Sequence, residues 1–163
     1  FGFGNNFLIP AGPLRESINS GIKKSKVLIL LDDDKNNIEE KIKKEITVIK
    51  GKTVIKNFEK IEKKKLVAFS GIGRPKKFLN SLKKRKLNII KFFPFPDHYV
   101  YKDVDLKRII NFSKQNNCIP ITTLKDKQRI NKNLKKEIHF IDLEITINQE
   151  KKLIDFLNLK EIA

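Results

Sequence analysis

Four short segments of the sequence hold side chains that could bind or orient a phosphate group, and each segment contains Gly, Pro or Thr at a predicted turn. In the first, Pro10 to Glu16, the charged pair Arg15 and Glu16 follows two prolines, and we predict a helix from Leu14 to Gly21. An arginine in a first helical turn gains nothing from the helix dipole, which favours anions there. Arg15 therefore indicates an external anion such as phosphate, or else a salt bridge or simple solvation.

The second segment, Ser70 to Pro75, lies where a predicted strand turns into a predicted helix. Gly71 and Gly73 would allow a ligand to approach backbone N–H groups at the positive end of that helix, and Arg74 could add a charge. A dinucleotide-binding fingerprint would need a third glycine at position 76, which is a lysine. The segment is thus a candidate anion-binding turn or an ordinary turn.

The third and fourth segments also follow predicted strands. His98 lies in Phe95 to Tyr99, at the carboxyl end of a strand, where open parallel sheets bind ligands. Asp97 could orient its imidazole, which could donate to a phosphate; the alternative is a structural histidine. In Thr122 to Asp126, Lys125 would point to the same sheet edge, although helix capping alone would explain the threonine and aspartate.

Other catalytic chemistry finds little support in the sequence. The single Cys118 allows no intramolecular disulfide, suits a reducing compartment and reads as a packed thiol, and one Cys with two His residues assembles no metal site. Gly51 to Thr53 is no phosphate loop, because Ile46 stands where that motif needs a glycine. Asp32 to Asp34 reads as the solvated start of a helix. We therefore predict no catalytic residue and no metal ligand in this chain.

The chain carries a net charge of +17, and all but five of its 36 basic residues are lysine. This excess indicates either an ordinary solvated surface or attraction to an anionic membrane surface, worth about 1 kcal/mol per basic residue. The aromatic residues Phe92, Phe93, Phe95, Tyr99 and Tyr101 could form a base-stacking platform for RNA, but packing at strand ends explains them more simply. No apolar run approaches the roughly 18 residues of a membrane span.

Apolar runs and helical stripes alternate along the chain, which predicts an α/β fold: a Rossmann-like parallel sheet with helices on both faces. Residues 45–50 and 52–56 read as a hairpin or a bent strand around Gly51. The predicted strands are 26–31 and 66–70, which read as buried strands, followed by 87–93, 119–122 and 138–147. The helical stripes fall at 36–44, on Phe78, Leu79 and Leu82, on Leu106, Ile109, Ile110 and Ser113, and at Leu153 to Leu159.

The order of the motifs is more specific than any one of them. The sequence resembles the tetraacyldisaccharide 4'-kinase family in Phe3-Gly-Asn5, Pro10-Ala-Gly-Pro-Leu-Arg-Glu16, Gly71-Ile-Gly-Arg-Pro75, Phe95-Pro-Asp-His98 and Thr122-Thr-Leu-Lys-Asp126. The resemblance implies transfer of the γ-phosphoryl group of ATP to the 4'-hydroxyl of a lipid A disaccharide precursor, at the cytoplasmic face of the bacterial inner membrane. It also implies two α/β/α lobes joined by a two-stranded linker, with the active site in the cleft.

By this resemblance the chain is the C-terminal lobe of a two-lobed P-loop-type kinase. Residues 1–137 would form the lobe, and residues 138–163 a linker strand and a helix that returns toward the missing N-terminal lobe. Arg15 and Glu16 would face phosphate or Mg²⁺, and His98 would approach the nucleotide. The absence of methionine also suggests a fragment, which we expect to be inactive alone because the phosphate loop, the metal ligands and the base would precede it.

Three positions depart from the family pattern, namely Asn6 (usually Gly), Ser17 (often Pro) and Leu124 (commonly Glu), and the last leaves any acidic role there in doubt. The implied partners are the lipid A precursor, the anionic inner-membrane surface as a peripheral contact, and the missing lobe, with no specific nucleic acid. Two alternatives are a stand-alone basic module that binds RNA with steep salt dependence, and a glycosyltransferase-like lobe that binds nucleotide sugars.

Overall fold

Residues 2–34 and 36–158 are described by the computed structural model of the chain, which falls into two units. The terminal unit comprises Phe1–Thr53 and Ile145–Ala163, and the central unit comprises Val54–Glu144. Helices and strands alternate for most of the sequence: α1 Ile18–Lys24, β1 Val27–Leu31, α2 Ile38–Ile42, β2 Thr47–Lys56, β3 Lys65–Ser70, α3 Pro75–Lys84, β4 Asn88–Pro94, α4 Asp103–Gln115, β5 Cys118–Thr123, α5 Leu124–Lys127, a 3-10 turn Lys135–Glu137, β6 His139–Ile147 and α6 Glu150–Asn158.

The central unit is built on a parallel sheet whose middle strand is β3. This strand pairs in parallel with β4 on one side and with β5 on the other, and β5 pairs in parallel with β6. Successive residues of β3 point to opposite faces, so that Leu66 and Ala68 join the cluster that contains Phe78 of α3. Val67 and Phe69 join the cluster of α4 on the other face. The predicted α/β fold, with helices on both faces of a parallel sheet, is confirmed.

Helix α4 covers its face of the sheet with one apolar stripe. Its buried residues are Leu106, Ile109, Ile110 and Ser113, the four positions that the sequence pattern predicted. They recur at the three- and four-residue spacing of one helical face, and burial of each aliphatic side chain contributes about 1.5–3 kcal/mol. The stripe fixes the position of α4 on the sheet, and therefore the end of the loop that carries His98.

The terminal unit contains a smaller apolar cluster. Strand β1 pairs in parallel with β2, from Val27 opposite Thr47 to Leu31 opposite Gly51. Ile38 and Ile42 of α2 are buried with Ile46, as the helical stripe predicted. The prediction of a strand at residues 26–31 is confirmed, but the prediction that it is buried is wrong, because Ile29 and Leu31 are each 41% exposed.

Two other predictions of local structure need correction. Helix α1 starts after Ser17, whose Oγ accepts a hydrogen bond from Ser20 N, and it runs through Gly21 to Lys24. The predicted helix from Leu14 to Gly21 therefore started too early and ended too early, because the capping serine decides where the helix begins. Of the two alternatives for residues 45–56, the hairpin is wrong and the single strand is right, since Thr47–Lys56 forms one strand. The predicted helix end at Leu159 lies outside the described residues, and so does Phe1. The role of residues 138–163 as a linker stays a prediction.

Candidate functional site

Three of the four candidate segments follow β3, β4 and β5 of the central unit. Since these strands are parallel neighbours, their carboxyl ends meet at one edge of the sheet. The edge carries Gly71 to Arg74 after β3, Asp97 and His98 after β4, and Lys125 after β5. It is the position at which sequence reasoning placed a ligand.

A buried carboxylate lies under this edge. Asp126 is fully buried, and its two oxygen atoms accept hydrogen bonds from three different segments of the chain. A carboxylate has two acceptor oxygens with about four lone pairs in all, so one side chain can accept from several segments at once. The donors are Gly71 N at 3.2 Å, Tyr101 Oη at 3.0 Å and Arg129 Nη2 at 2.7 Å to Oδ1, and Thr122 Oγ1 at 3.0 Å and Thr123 Oγ1 at 2.7 Å to Oδ2.

Gly71 is held through both of its peptide groups. Its N–H donates to Asp126, and its carbonyl oxygen accepts from Arg129 Nη1 at 2.9 Å. A Cβ added at Gly71 would lie 3.0 Å from Tyr99 Cβ and 3.1 Å from both Pro96 O and Tyr101 Oη. The turn after β3 is therefore packed against the loop after β4, and glycine is the residue that fits there.

His98 owes its position to the backbone of its loop. Its side chain is 90% exposed, and its φ of 55° places it in the left-handed region. Its N–H donates to Asp97 Oδ1 at 2.9 Å, whereas Nε2 lies 3.8 Å from Asp97 Oδ2, beyond hydrogen-bond distance. Asp97 thus fixes the backbone at His98 more than it orients the imidazole.

The candidate anion-binding turn already faces a carboxylate of the protein. A Cβ added at Gly73 would lie 3.0 Å from Asp97 Oδ2, and the N–H of Gly71 is used by Asp126. Arg74 and Lys125 are exposed at the start of α3 and in α5. An external anion at this turn stays a prediction.

Arg15 and Glu16 belong to the terminal unit, in the segment just before α1. Glu16 Oε2 accepts from Lys24 Nζ at 2.7 Å and from Ser20 Oγ at 2.8 Å. These hydrogen bonds, the one from Lys24 first, lower the pKa of Glu16 below its ordinary value. Arg15 is exposed to solvent. Neither residue lies in the first turn of a helix, so the dipole argument for Arg15 falls away.

The acidic run Asp32 to Asp34 is more structural than the sequence suggested. Asp32 accepts from Thr53 N at 2.7 Å and from Thr53 Oγ1 at 2.9 Å, and so ties the end of β1 to β2. Asp34 Oδ2 accepts from Glu39 N at 2.8 Å in the first turn of α2, and backbone hydrogen bonds, chiefly from Glu39, lower its pKa. Within the ranges 2–34 and 36–158, no group of three His, Cys, Asp or Glu residues could hold a metal ion.

The aromatic residues near Phe93 pack against one another and against the core. Tyr101 is buried, and it meets Phe69 edge to face at 5.4 Å and Phe95 at 5.1 Å between ring centroids. Burial first, and then the charge of Asp126, raises the pKa of Tyr101. All five rings contribute to the two apolar clusters of the central unit, with Tyr101 buried and Phe92, Phe93, Phe95 and Tyr99 half-buried, which agrees with packing at strand ends.

Comparison with known proteins places these motifs in one family. The family model described as "Tetraacyldisaccharide-1-P 4'-kinase" (LpxK) matches residues 1–161. The chain belongs to this family. The resemblance seen in the ordered motifs is thereby confirmed.

Individual relatives agree with the family match. The tetraacyldisaccharide 4'-kinase of Rickettsia rickettsii (strain Sheila Smith) is 35% identical over 158 residues, which is 97% of this chain and 48% of that protein. The corresponding enzyme of Rickettsia felis is 36% identical over 97% of the chain and 47% of its own length. The chain therefore spans about half the length of the curated relatives that it matches.

A solved structure supports the fold. The crystal structure of LpxK from Aquifex aeolicus in complex with ATP superimposes with a TM-score of 0.59 at 24% identity, over 94% of this chain and 48% of that one. No helix in the described part of this LpxK-family chain has the length and apolar character needed to cross a bilayer.

The three positions expected to depart from the family pattern each have a defined local setting. Asn6 has a φ of 66°, and asparagine is among the few residues that replace glycine readily in the left-handed region. Ser17 caps α1 through its side chain. Leu124 is the first residue of α5, directly after the capping Thr123, and is exposed.

Sequence reasoning missed the residues that hold the loops together. Asp126 was read only as a residue near a helix cap, Tyr101 only as part of the aromatic group, and Arg129 was not singled out. The spacing of Thr123 and Asp126 does carry a signal, since Thr123 Oγ1 also accepts from Asp126 N in the usual capping geometry. The contacts of Asp126 with Gly71 and Tyr101 span 55 and 25 residues, and no local pattern predicts them.

Proposed function

We propose that this chain is the C-terminal portion of an ATP-dependent tetraacyldisaccharide 4'-kinase and supplies part of its nucleotide and substrate binding. The observation that carries the proposal is the family match over residues 1–161. The placement of three of these motifs at one sheet edge of the central unit supports it. The reaction would transfer the γ-phosphoryl group of ATP to the 4'-hydroxyl of a lipid A disaccharide precursor.

Phosphoryl transfer depends chiefly on positioning and on charge stabilisation, so the residues of this chain would act by binding. Arg15 would contact a phosphate through its guanidinium, with Glu16 beside it. His98 would approach the nucleotide from the exposed end of its loop, supported by Asp97, and Lys125 would add positive charge at the same edge.

The described residues do not fit a complete Mg²⁺ site. No cluster of three potential ligands occurs among them, although enzymes of this reaction class commonly use Mg²⁺ to neutralise phosphate charge. The phosphate loop, most of the Mg²⁺ coordination and the base would belong to the rest of the enzyme, and the chain alone would be inactive.

The excess of lysine fits a peripheral enzyme at an anionic surface. A net charge of +17 would attract the chain to the cytoplasmic face of the inner membrane, where its lipid substrate would be found. We infer no specific nucleic-acid partner, because the aromatic residues that RNA would stack on are packed together.

The test is a phosphotransfer assay with ATP and the tetraacyldisaccharide 1-phosphate acceptor. We expect no turnover by residues 1–163 alone, and turnover by a protein in which the chain is joined to an N-terminal lobe of the family. In the joined protein, Arg15→Ala and His98→Ala should each lower kcat/KM for ATP about tenfold or more, the effect of losing one charge-assisted hydrogen bond.

Two matched variants serve as controls for this assay. Arg108→Ala removes an exposed arginine of α4, and His139→Ala removes a histidine whose Nε2 contacts Asn57 O at 2.6 Å. Both should keep kcat/KM for ATP within about twofold. Turnover by the chain alone, equal losses in the control variants, or binding of nucleotide sugars in preference to ATP would contradict the proposal.

A further inference from the structure

The position of His98 is not secured by contacts of its own side chain. The imidazole is almost fully exposed, and the backbone N–H of His98 donates to Asp97 within the same loop. The next residue, Tyr99, donates its N–H to Pro96 O at 3.3 Å and its hydroxyl to Asp105 Oδ2 at 2.8 Å. Such a loop needs an anchor elsewhere if the imidazole is to stay in one place.

A buried carboxylate, that of Asp126, reaches this loop through Tyr101. Tyr101, three residues after His98, donates its hydroxyl to Asp126 Oδ1. The same oxygen accepts from Gly71 N, so one atom ties the loop after β4 to the turn after β3. Arg129 completes the connection, because it binds both Asp126 Oδ1 and the carbonyl oxygen of Gly71.

We propose that Asp126, together with Arg129, is the positioning residue of the His98 loop, which it fixes through Tyr101 and Gly71. Thr122 and Thr123 satisfy the other carboxylate oxygen, so the charge is held at one point. Loss of the carboxylate would release both loops at once. That the imidazole faces a nucleotide rests on the proposed function; that Asp126 fixes the loop does not.

Amide hydrogen exchange on the ¹⁵N-labelled chain of 163 residues tests the positioning directly. Asp126→Asn should speed exchange at the amides of Gly71 and His98 about tenfold or more relative to Ala68 in the sheet, the loss expected for a hydrogen bond to a charged group. The matched control is Asp103→Asn, which makes the same change in an exposed carboxylate that accepts from Asn131.

Two milder substitutions, Tyr101→Phe and its control Ser113→Ala, test the proposal even if Asp126→Asn fails to fold. Tyr101→Phe keeps the ring and removes only the hydroxyl, and it should speed exchange at His98 selectively. Ser113→Ala removes a buried hydroxyl of the same unit that donates to Ile109 O at 2.8 Å, outside the network. If Tyr101→Phe and Ser113→Ala change His98 exchange equally relative to Ala68, the proposal is wrong.

A kinetic experiment on the joined kinase separates this inference from the proposed function. If Tyr101 acts through His98, the double variant Tyr101→Phe with His98→Ala should lose no more kcat/KM for ATP than His98→Ala alone. Additive losses would overturn the positioning role. Selective exchange at His98 together with full activity of His98→Ala would support the positioning and contradict the proposed function.

Discussion

The two loop systems that carry the family's motifs are held in different ways. In the terminal unit, the segment before Arg15 is closed by short-range bonds such as Asn5 Nδ2 to Ala11 O at 3.0 Å and Gly12 N to Leu8 O at 2.9 Å. Glu16 is held by two exposed contacts from the helix that follows it. In the central unit, one buried carboxylate connects loops that are far apart in sequence.

This difference determines how sensitive each region should be. An exposed ion pair is screened by water and contributes little, whereas removal of one partner from a buried pair leaves an uncompensated charge. The central loops should therefore fail together when Asp126 changes. The segment around Arg15 should tolerate changes of its polar side chains one at a time.

The largest expected effect is that of Asp126→Asn on stability. The substitution leaves the guanidinium of Arg129, only 20% exposed, without its carboxylate partner. We expect the free energy of unfolding to fall by about 3 kcal/mol or more. Urea denaturation followed by circular dichroism measures the change. A loss no larger than that of Glu16→Gln, measured in parallel, would contradict the contrast between the two regions.

Gly71→Ala should have the next largest effect. The added methyl group would lie 3.0–3.1 Å from Tyr99, Pro96 O and Tyr101 Oη, so the loop after β4 would have to shift. Overpacking of this kind costs about 1–3 kcal/mol. Thermal unfolding gives the size of the loss, and amide shifts should change at residues 96–101 beyond the site of substitution. An unchanged melting temperature would show that the two loops are not packed as described.

The contrast also explains how much could be predicted from the sequence. Apolar periodicity depends on local spacing, and it predicted the buried stripe of α4 and the strand β3. The start of α1 was predicted wrongly because the prediction rested on the two prolines. The helix instead begins after Ser17, whose side chain caps its first turn. Strand β1 was expected to be buried because an apolar run does not show whether a strand is covered on both faces.

In the candidate site, too, local patterns could be predicted from the sequence and long-range contacts could not. The segment of His98 could be found from its Pro-Asp-His pattern and its place after a strand. The dependence of that segment on Asp126 could not be found from the sequence. The contacts of Asp126 with Tyr101 and Gly71 depend on which strands are neighbours, and that order is set by packing of the whole sheet. The closeness of the Asp97 carboxylate to Gly73 could not be predicted either, since Asp97 lies in the next loop.

A smaller effect of opposite sign is expected in the terminal unit. Gly21 lies inside α1, and a Cβ added there would meet no atom within 4 Å. Gly21→Ala should therefore raise the free energy of unfolding by about 0.5–1 kcal/mol, because alanine restricts the unfolded chain and favours the helix. Urea denaturation with Gly71→Ala as the matched glycine variant checks the prediction. A destabilised Gly21→Ala would mean that α1 does not pass through this residue.

The smallest effect should come from the titration of Glu16. Its pKa lies below the ordinary value of 4.5 because Lys24 and Ser20 donate to its carboxylate in the folded state. A carboxyl group whose pKa is lowered by folding contributes stability that is fully present above pH 4.5 and is lost as the pH falls through the folded-state pKa.

A ¹³C NMR titration of the Glu16 carboxyl group should show the lowered pKa, and Lys24→Gln should raise it toward 4.5. The neighbouring substitution Lys23→Gln is the matched control, because Lys24 is the lysine that donates to Glu16. If both variants raise the pKa of Glu16 equally, the positive charge of α1 as a whole, rather than the hydrogen bond from Lys24, lowers that pKa. The contrast between short-range contacts in the terminal unit and long-range contacts in the central unit would then be wrong for Glu16.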